Sequence, residues 1–330
     1  MTLRPSGERP EPGHGEVLLE LVAVGLCGSD YSLYLGKHPL SQFPQTQGHE
    51  MAARVVSHGP GTQAIHPVGS QVAVEPLLPC GRCYPCRIGR GNCCVDLRLF
   101  GVHEAGGLQP FLAVPEHLVH EAGGMPPEVA AFSEPMSIAL QALRRGGIGP
   151  DDKVLVTGAG PVGQAAIIAA VEIGARVAAS DLVPERLDRA RSSGAEITLD
   201  PREGLDDAVA AWTDGEGPTL IIEASGAPMA IRSAVQVVAA AGRIVLVGIS
   251  DQEVSLPIAA FTRKEMTVLG ARNSVGIFAE AVRIVRDNQE KVQRLITHRI
   301  SLEQVEETIR LALKHPDIVE KAVVISASTA

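Results

Sequence analysis

Aromatic side chains are scarce in this 330-residue chain: one Trp, three Tyr and six Phe make up 3% of it. So few rings argue against a pocket for a large flat ligand and favour a small or polyhydroxylated one. Basic charge is not in excess either. The 29 Lys and Arg face 38 Asp and Glu, a net charge of −9, which argues against nucleic acid, since phosphate binding needs a basic face. No run reaches the roughly 18 uninterrupted apolar residues of a membrane helix. The opening MTLRPSGERPEPGHGE is polar and rich in Pro and Gly, without the apolar centre of a signal peptide. A cytoplasmic protein is expected, and in a reducing compartment six cysteines read as metal ligands or thiols rather than disulfides.

What is present is a globular composition, 45% hydrophobic and 20% charged, in a chain too long for one ordinary core. Two domains are expected. The organising stretch is Val154–Gly163, VLVTGAGPVG. Val154 to Thr157 read as a buried strand, Gly158, Gly160 and Gly163 fall in G-x-G-x-x-G spacing, and Gln164–Ile173 reads as a helix. The first glycine makes the strand-to-helix turn, the second admits a pyrophosphate against the backbone, and the third lets helix and strand pack closely. Free N–H groups at the helix start face the anion. The pattern alone is weak in a chain with 34 glycines. Its context strengthens it, because the next strand, Arg176–Ser180, ends in Asp181, where a ribose-binding acid is expected. Asp181 favours NAD, since its carboxylate accepts from a ribose 2′-OH and repels a 2′-phosphate. Arg186 borders the adenine or pairs with an acid, and is the residue that blurs NAD over NADP.

Further strand-like runs at Glu196–Leu199, Thr219–Glu223, Arg243–Val247 and Thr267–Leu269 alternate with helical stretches at Pro184–Ser192, Asp206–Trp212 and Met229–Ala240. This predicts a doubly wound α/β domain with a six-stranded parallel sheet. Its later strand ends, at Ser225 and at Val247-Gly248, are small enough for a nicotinamide to lie across them. Arg272, just past the last strand, is placed to clamp the cofactor or is simply a solvated surface residue. Beyond it, a helix over Ile277–Arg286, another over Leu302–Leu313 and a strand at Lys321–Ile325 return to complete the first domain. Up to Val119 that first domain shows short apolar runs broken by Pro and Gly, a β-rich pattern.

Two cysteine groups stand out within it. Cys80, Cys83 and Cys86 repeat as C-x-x-C-x-x-C, and Cys94 follows eight residues after Cys86. Three thiolates curl one loop around a point and a fourth closes a tetrahedron, as a structural zinc needs. An iron–sulfur cluster is the alternative, and Cys93 competes with Cys94 for the fourth position. The remaining Cys27 sits in GLCGSD, upstream of His49 and Glu50. A lone Cys or His is ordinarily a packed core residue, but a mixed Cys/His/carboxylate set suits an open catalytic zinc. Glu134 opens the apolar run Met136–Leu143, where it serves the helix dipole, and Ser133 offers a cap beside it.

These stations, GLCGSD, GHE (Gly48–Glu50), Cys80–Cys94, GVHEAGG (Gly101–Gly107), Glu134-Pro135, GAGPVG, Ala271–Asn273 and Thr297–Arg299, resemble the zinc-dependent medium-chain dehydrogenase/reductases of the alcohol dehydrogenase superfamily. The likeness is nearest their sorbitol, threonine and hexonate (L-idonate or L-galactonate 5-dehydrogenase-like) branch and runs from about Pro10 to the C-terminus. It implies a GroES-like β-rich catalytic domain (1–136 and 273–330, with a zinc lobe at 80–94), a Rossmann domain (137–272), a cleft between them, and homodimers or tetramers. Two zinc ions per chain and NAD are implied. Cys27 and His49 become catalytic zinc ligands, Glu50 and Glu134 the carboxylates that bind it directly, through water or in alternation, and Cys80, Cys83, Cys86 and Cys94 the structural set. Ser29 becomes the hydroxyl that takes the substrate's proton and Asp30 the acid that orients a ligand histidine. The cofactor set is Gly158, Gly160, Pro161, Val162, Gly163, Asp181, Arg186, Ser225, Val247, Gly248, Arg272 and Asn273. The implied activity is oxidation of a secondary alcohol of a polyol or sugar acid to the ketone by hydride transfer. L-threonine or simple alcohol oxidation, a zinc-free quinone or enoyl reductase, and a non-enzymatic zinc or NAD-binding module are the alternatives. Three departures bear on it: Ser32 stands where many relatives have histidine, Leu108-Gln109-Pro110 replaces an aromatic and an acid, and the family's first strand has no counterpart. Lys37, His38, His103 and Arg272 are candidates to meet a substrate carboxylate.

Overall fold

The computed structural model describes residues 2, 9–37 and 43–326; His38 lies outside them. The chain divides into two compact units, Met1–Ser137 with Val275–Ala330, and Ile138–Ser274.

The first unit is built on one sheet. In order across it run Ile296–Ile300, Lys321–Ile325, Glu16–Gly25, Glu50–His58, Gln71–Val74 and Val119–Glu121, with Phe111–Pro115 also pairing to Glu16–Gly25. The central strand, EVLLELVAVG, is buried along nearly its whole length. Apolar residues at Leu19, Leu21, Met51, Val55, Val72, Val74 and Val114 close the core over it. Burying each of these larger side chains is worth roughly 1.5–3 kcal/mol, enough to fix the register, since a one-residue slip would turn every one of them outward. That register matters for chemistry. Gly25 lies opposite Glu50 on one side and opposite Val323 on the other, and the Leu26 N–H donates to the Ala322 carbonyl at 2.9 Å. Residues just past Gly25, just before Glu50 and at the head of the last strand are therefore brought to one place. The helix expected at Leu302–Leu313 is a 3₁₀ turn, Leu302–Gln304, followed by an α-helix over Val305–Lys314. Ser301 fixes where the first of these begins: Gln304 Oε1 accepts the Ser301 N–H at 2.9 Å, a capping box at the start of the 3₁₀ turn. A short helix, Gln289–Leu295, not expected from the sequence, follows the one at Phe278–Asp287.

The second unit is a six-stranded parallel sheet in the order Ile197–Leu199, Arg176–Ser180, Lys153–Thr157, Leu220–Glu223, Arg243–Leu246, Thr267–Gly270. Its central residues Val154, Leu155, Val156, Val177, Ala178, Leu220, Ile221 and Ile222 are completely buried, as expected of a sheet covered by helices on both faces. Thr157 is level with Ser180 and Glu223, Glu223 with Leu246, and Leu246 with Gly270. Gly158, Asp181, Ser225, Val247 and Arg272 consequently emerge along the same carboxyl edge, where open α/β sheets bind ligands.

Candidate active site

The strand Glu16–Gly25 delivers Cys27 to the start of a short helix, Gly28–Tyr34. Gly25 is required there, because a Cβ on it would stand 1.9 Å from Glu50 Oε2. The Cys27 sulfur, a His49 ring nitrogen and a Glu50 carboxylate oxygen all lie within 4.8 Å of one another. His49 and Glu50 are buried and Cys27 is half-buried. His49 Nδ1 and Asp30 Oδ1 are buried without a hydrogen-bond partner. A thiolate, an imidazole and a carboxylate converging in one buried spot, with polar atoms left unmet, fit an open zinc site of three protein ligands.

Asp30 is completely buried, and its Oδ2 accepts the Cys27 N–H at 2.9 Å. It stands 3.9 Å from His49 Nδ1, beyond hydrogen-bond range, so here it steadies Cys27 rather than orienting the histidine directly. Glu134 is the second residue of the helix Ser133–Arg145 and is buried, but it lies outside the 4.8 Å group. Ser133 does not cap that helix: it is the first helical residue and its buried hydroxyl has no partner. Ser29 is half-buried on the first turn after Cys27. The Ser32 hydroxyl donates to the Gly28 carbonyl at 3.2 Å. GVHEAGG packs directly on GHE: a Cβ on Gly106 would meet the Gly48 carbonyl oxygen at 2.4 Å, and Leu108 lies against Gly48. His103 is half-buried in this segment, and Lys37 is exposed.

The electrostatics around Cys27, His49 and Glu50 are those of crowded anions. Burial pushes the Glu134 carboxyl up to about 7, opposed by His49 and reinforced by Glu50. Burial likewise raises Asp30 against the pull of His49. Burial alone would lower His49, but its hydrogen bond to Cys27 and the charges of Cys27, Asp30 and Glu134 raise it well above its usual value. The residue sequence reasoning missed is Lys321. Its Nζ donates to both Glu50 oxygens at 2.7 Å and to the Leu26 carbonyl at 3.2 Å, with both side chains at most 2% exposed. At the head of an apolar strand a lysine reads as a solvated end, and only the long-range register across from Leu26 reveals it.

In the lobe, the sulfurs of Cys80, Cys83, Cys86 and Cys94 lie within 4.8 Å of one another. Cys83 is 3.4 Å from Cys86 and 3.7 Å from Cys94, close to the roughly 3.8 Å edge of a tetrahedron with 2.3 Å zinc–sulfur bonds. Cys93 is outside this group and faces Arg90 at 3.8 Å. Backbone N–H groups of Cys86 and Val95 lower the Cys83 thiol to about 6, while burial and neighbouring thiols push Cys86 up to about 12.

At the carboxyl edge of the parallel sheet, Gly158 adopts φ +87°, and a Cβ on it would stand 2.8 Å from the Ser225 nitrogen. A Cβ on Gly163 would stand 1.9 Å from the Gly158 carbonyl oxygen. Gly160 differs: its nearest neighbour would be Arg186, at 3.9 Å. It caps the helix Pro161–Ile173, whose first N–H groups, Val162 among them, have no helical partner. Asp181 accepts the Ala159 N–H at 2.7 Å and the Val183 N–H at 2.9 Å, and Arg186 lies 3.8 Å from it. A second residue sequence reasoning missed is Glu223, fully buried. Its carboxylate accepts the Ser225 N–H at 2.9 Å and the Gly226 N–H at 3.1 Å, fixing that turn against Gly248. The Val247 and Gly248 N–H groups both donate to the Glu223 carbonyl. Asn273 has φ +47° and Arg272 is exposed. Both follow the edge strand, three strands and so about 14 Å from the glycine turn.

Two family profiles match, an alcohol dehydrogenase GroES-like domain over residues 13–124 and a zinc-binding dehydrogenase over residues 161–287. The chain is 34% identical over 303 residues to L-galactonate-5-dehydrogenase of Escherichia coli K12, covering 91% of this chain and 89% of that protein. It superposes on an alcohol dehydrogenase of E. coli CFT073 complexed with NADH, with a TM-score of 0.90, 31% identity and coverage of 97% and 94%. A protein described as a zinc-binding dehydrogenase of Sinorhizobium meliloti 1021, bound to NADP, gives 0.87, 28%, 96% and 94%.

Proposed function

The chain belongs to the zinc-binding alcohol dehydrogenase family, and we propose that it oxidises a secondary alcohol of a polyol or sugar acid to the ketone, reducing NAD. The observation that carries this reading is the convergence of Cys27, His49 and Glu50 within 4.8 Å, a donor set a zinc-free reductase or a binding module has no use for. Zinc bound there supplies Lewis-acid polarisation of an alcohol oxygen, and NAD supplies the hydride acceptor. The chain's own residues do the rest. Cys27 and His49 hold the metal, Glu50 and Glu134 supply negative charge around it, and Asp30 fixes the Cys27 backbone. Ser29 Oγ takes the alcohol proton and passes it toward solvent. Asp181 accepts from the ribose hydroxyl while pinning Ala159, and the free N–H groups after Gly160 receive the pyrophosphate. Glu223 holds the Ser225–Gly226 turn in place for the nicotinamide half.

Cys80, Cys83, Cys86 and Cys94 hold a second, structural zinc. A sugar-acid substrate is supported by the likeness to L-galactonate-5-dehydrogenase, and a cytoplasmic location by cysteines spaced for metal rather than paired. Homo-oligomerisation is supported by the sheet's edge strand Thr267–Gly270, where Thr267 and Val268 are exposed, as is the neighbouring Ile258, an edge suited to a second copy. None of the helices in the described residues is long and apolar enough to cross a membrane. The test is NADH formation across polyols, aldonates and L-threonine, with NADP as control. Turnover of an aldonate or polyol with NAD is expected; turnover of none of them withdraws the substrate, and preference for NADP withdraws the cofactor.

A further inference from the structure

We propose that Gln164 acts from inside the second unit on the choice between NAD and NADP, by tying the helix that carries Arg186 to the glycine turn so that Arg186 stays beside Asp181. The inference deepens the dinucleotide reading of that turn and rests on it. Gln164 follows Gly163 in the helix Pro161–Ile173 and is completely buried. A buried amide costs free energy unless its polar atoms are met, and here both are. Nε2 donates to the Ala159 carbonyl at 3.0 Å and to the Arg186 carbonyl at 3.0 Å, while Oε1 accepts the Ser193 hydroxyl at 2.8 Å. The partners fix which end is nitrogen, since carbonyls only accept. Gln164 is therefore a bridge with two ends. Ala159 lies between Gly158 and Gly160, whereas Arg186 and Ser193 belong to the helix Pro184–Ser193.

The bridge reaches the residues assigned to the adenosine end of the cofactor. The Ala159 peptide is held on both sides, its N–H by Asp181 Oδ2 at 2.7 Å and its carbonyl by Gln164. Arg186 stands 3.8 Å from the same Asp181 oxygen, so its guanidinium is drawn to the carboxylate that repels a 2′-phosphate. Without Gln164, the first turn of the helix Pro184–Ser193 is released from the glycine turn. Arg186 is then free to leave Asp181, and a free guanidinium binds phosphate in a bidentate fork. The sign follows: NADPH gains relative to NADH. A glutamine that only filled the core would, when lost, weaken both dinucleotides alike and leave their ratio unchanged.

The experiment titrates the full chain with NADH and with NADPH by fluorescence and reads the ratio of dissociation constants, Kd(NADPH)/Kd(NADH). Gln164→Met keeps the side chain's length without its donors and is expected to lower that ratio about fivefold, the weight of one ordinary hydrogen bond. In an Arg186→Ala background the same substitution should leave the ratio within about twofold, because Arg186 is the group the bridge places. A rise, or a fall of less than about twofold, in a Gln164→Met protein with wild-type circular dichroism overturns the proposal alone. So does a larger fall that persists without Arg186. Should Gln164→Met not fold, Gln164→Glu decides. A glutamic acid buried there is neutral and has one O–H where the amide has two N–H donors, so it serves only one of the two carbonyls. A ratio lowered by more than about twofold then supports the bridge, and an unchanged one overturns it. A wild-type chain that prefers NADPH, or binds neither dinucleotide, overturns the NAD reading, and this proposal with it.

Discussion

Replacing Gly160 and Gly163, three residues apart, by alanine should have different consequences. A Cβ at position 163 meets the Gly158 carbonyl oxygen at 1.9 Å and Val156 Cγ1 at 3.5 Å. Restoring an ordinary carbon–oxygen contact of roughly 3.3 Å means moving backbone by more than an ångström, in a core packed like a crystal. The backbone is not free to move, because the Gly158 N–H donates to Ser180 at 2.8 Å and the Ala159 N–H to Asp181 at 2.7 Å. Overpacking of this kind costs about 1–3 kcal/mol, or a few degrees in Tm per kcal/mol for a unit of this size. At position 160 the added methyl meets only Arg186 at 3.9 Å, and the backbone there, φ −71°, suits alanine. Gly160→Ala should therefore melt like wild type. Its methyl nevertheless occupies the face a pyrophosphate must approach, so NADH affinity should fall about tenfold or more. Differential scanning calorimetry and NADH fluorescence titration read the two effects separately. Wild-type NADH affinity in Gly160→Ala would refute the pyrophosphate assignment, and wild-type stability in Gly163→Ala would refute the packing argument.

Other perturbations follow from the same geometry. Cys83→Ser should lower the metal content by one per chain and reduce thermal stability while the Cys27 site keeps its metal, read by elemental analysis and melting. Asp181→Ala leaves the Ala159 and Val183 N–H groups unmet, costing about 1–3 kcal/mol of stability; loss of its charge should also narrow any preference for NAD over NADP, measured by paired titrations. Glu134 titrates near 7 when folded because burial raises it, against 4.5 when unfolded. Its contribution to stability is thus fully present below about 4.5 and lost as pH rises through 7, roughly 3 kcal/mol in all. In chelator-stripped protein the urea midpoint should accordingly fall between pH 5 and 8, and Glu134→Gln should flatten that slope.

Local chemistry made much of this molecule legible in its sequence. The Lys153–Thr157 strand, the glycine turn and Asp181 lie within 30 residues, and each announces itself by residue type. So do the lobe cysteines, whose spacing alone closes a loop around a metal; the fourth member needed the structure, which groups Cys94 and leaves Cys93 to Arg90. Residues whose meaning depends on distant pairing were not legible. Lys321 is 271 positions from Glu50, and nothing near it in the chain marks it as buried. Glu223 looks like the polar end of a strand, because a carboxylate that satisfies backbone N–H groups two and three residues on has no signature beyond its type. Asp30 was readable as an acid beside the metal ligands, but whether it serves His49 or the Cys27 backbone turns on ångströms. Ser133 shows the converse, a residue of capping type that the helix simply includes.

NAD-linked alcohol oxidation is proposed for the site built on Cys27 and His49. The most direct test is the rate of NADH formation by Cys27→Ser beside wild type, on whichever alcohol the substrate panel identifies, with folding checked by circular dichroism. The folded variant should lose more in kcat/KM than the roughly 10–100-fold that follows mutation of a group merely supporting a metal ligand. Full activity in Cys27→Ser would contradict it.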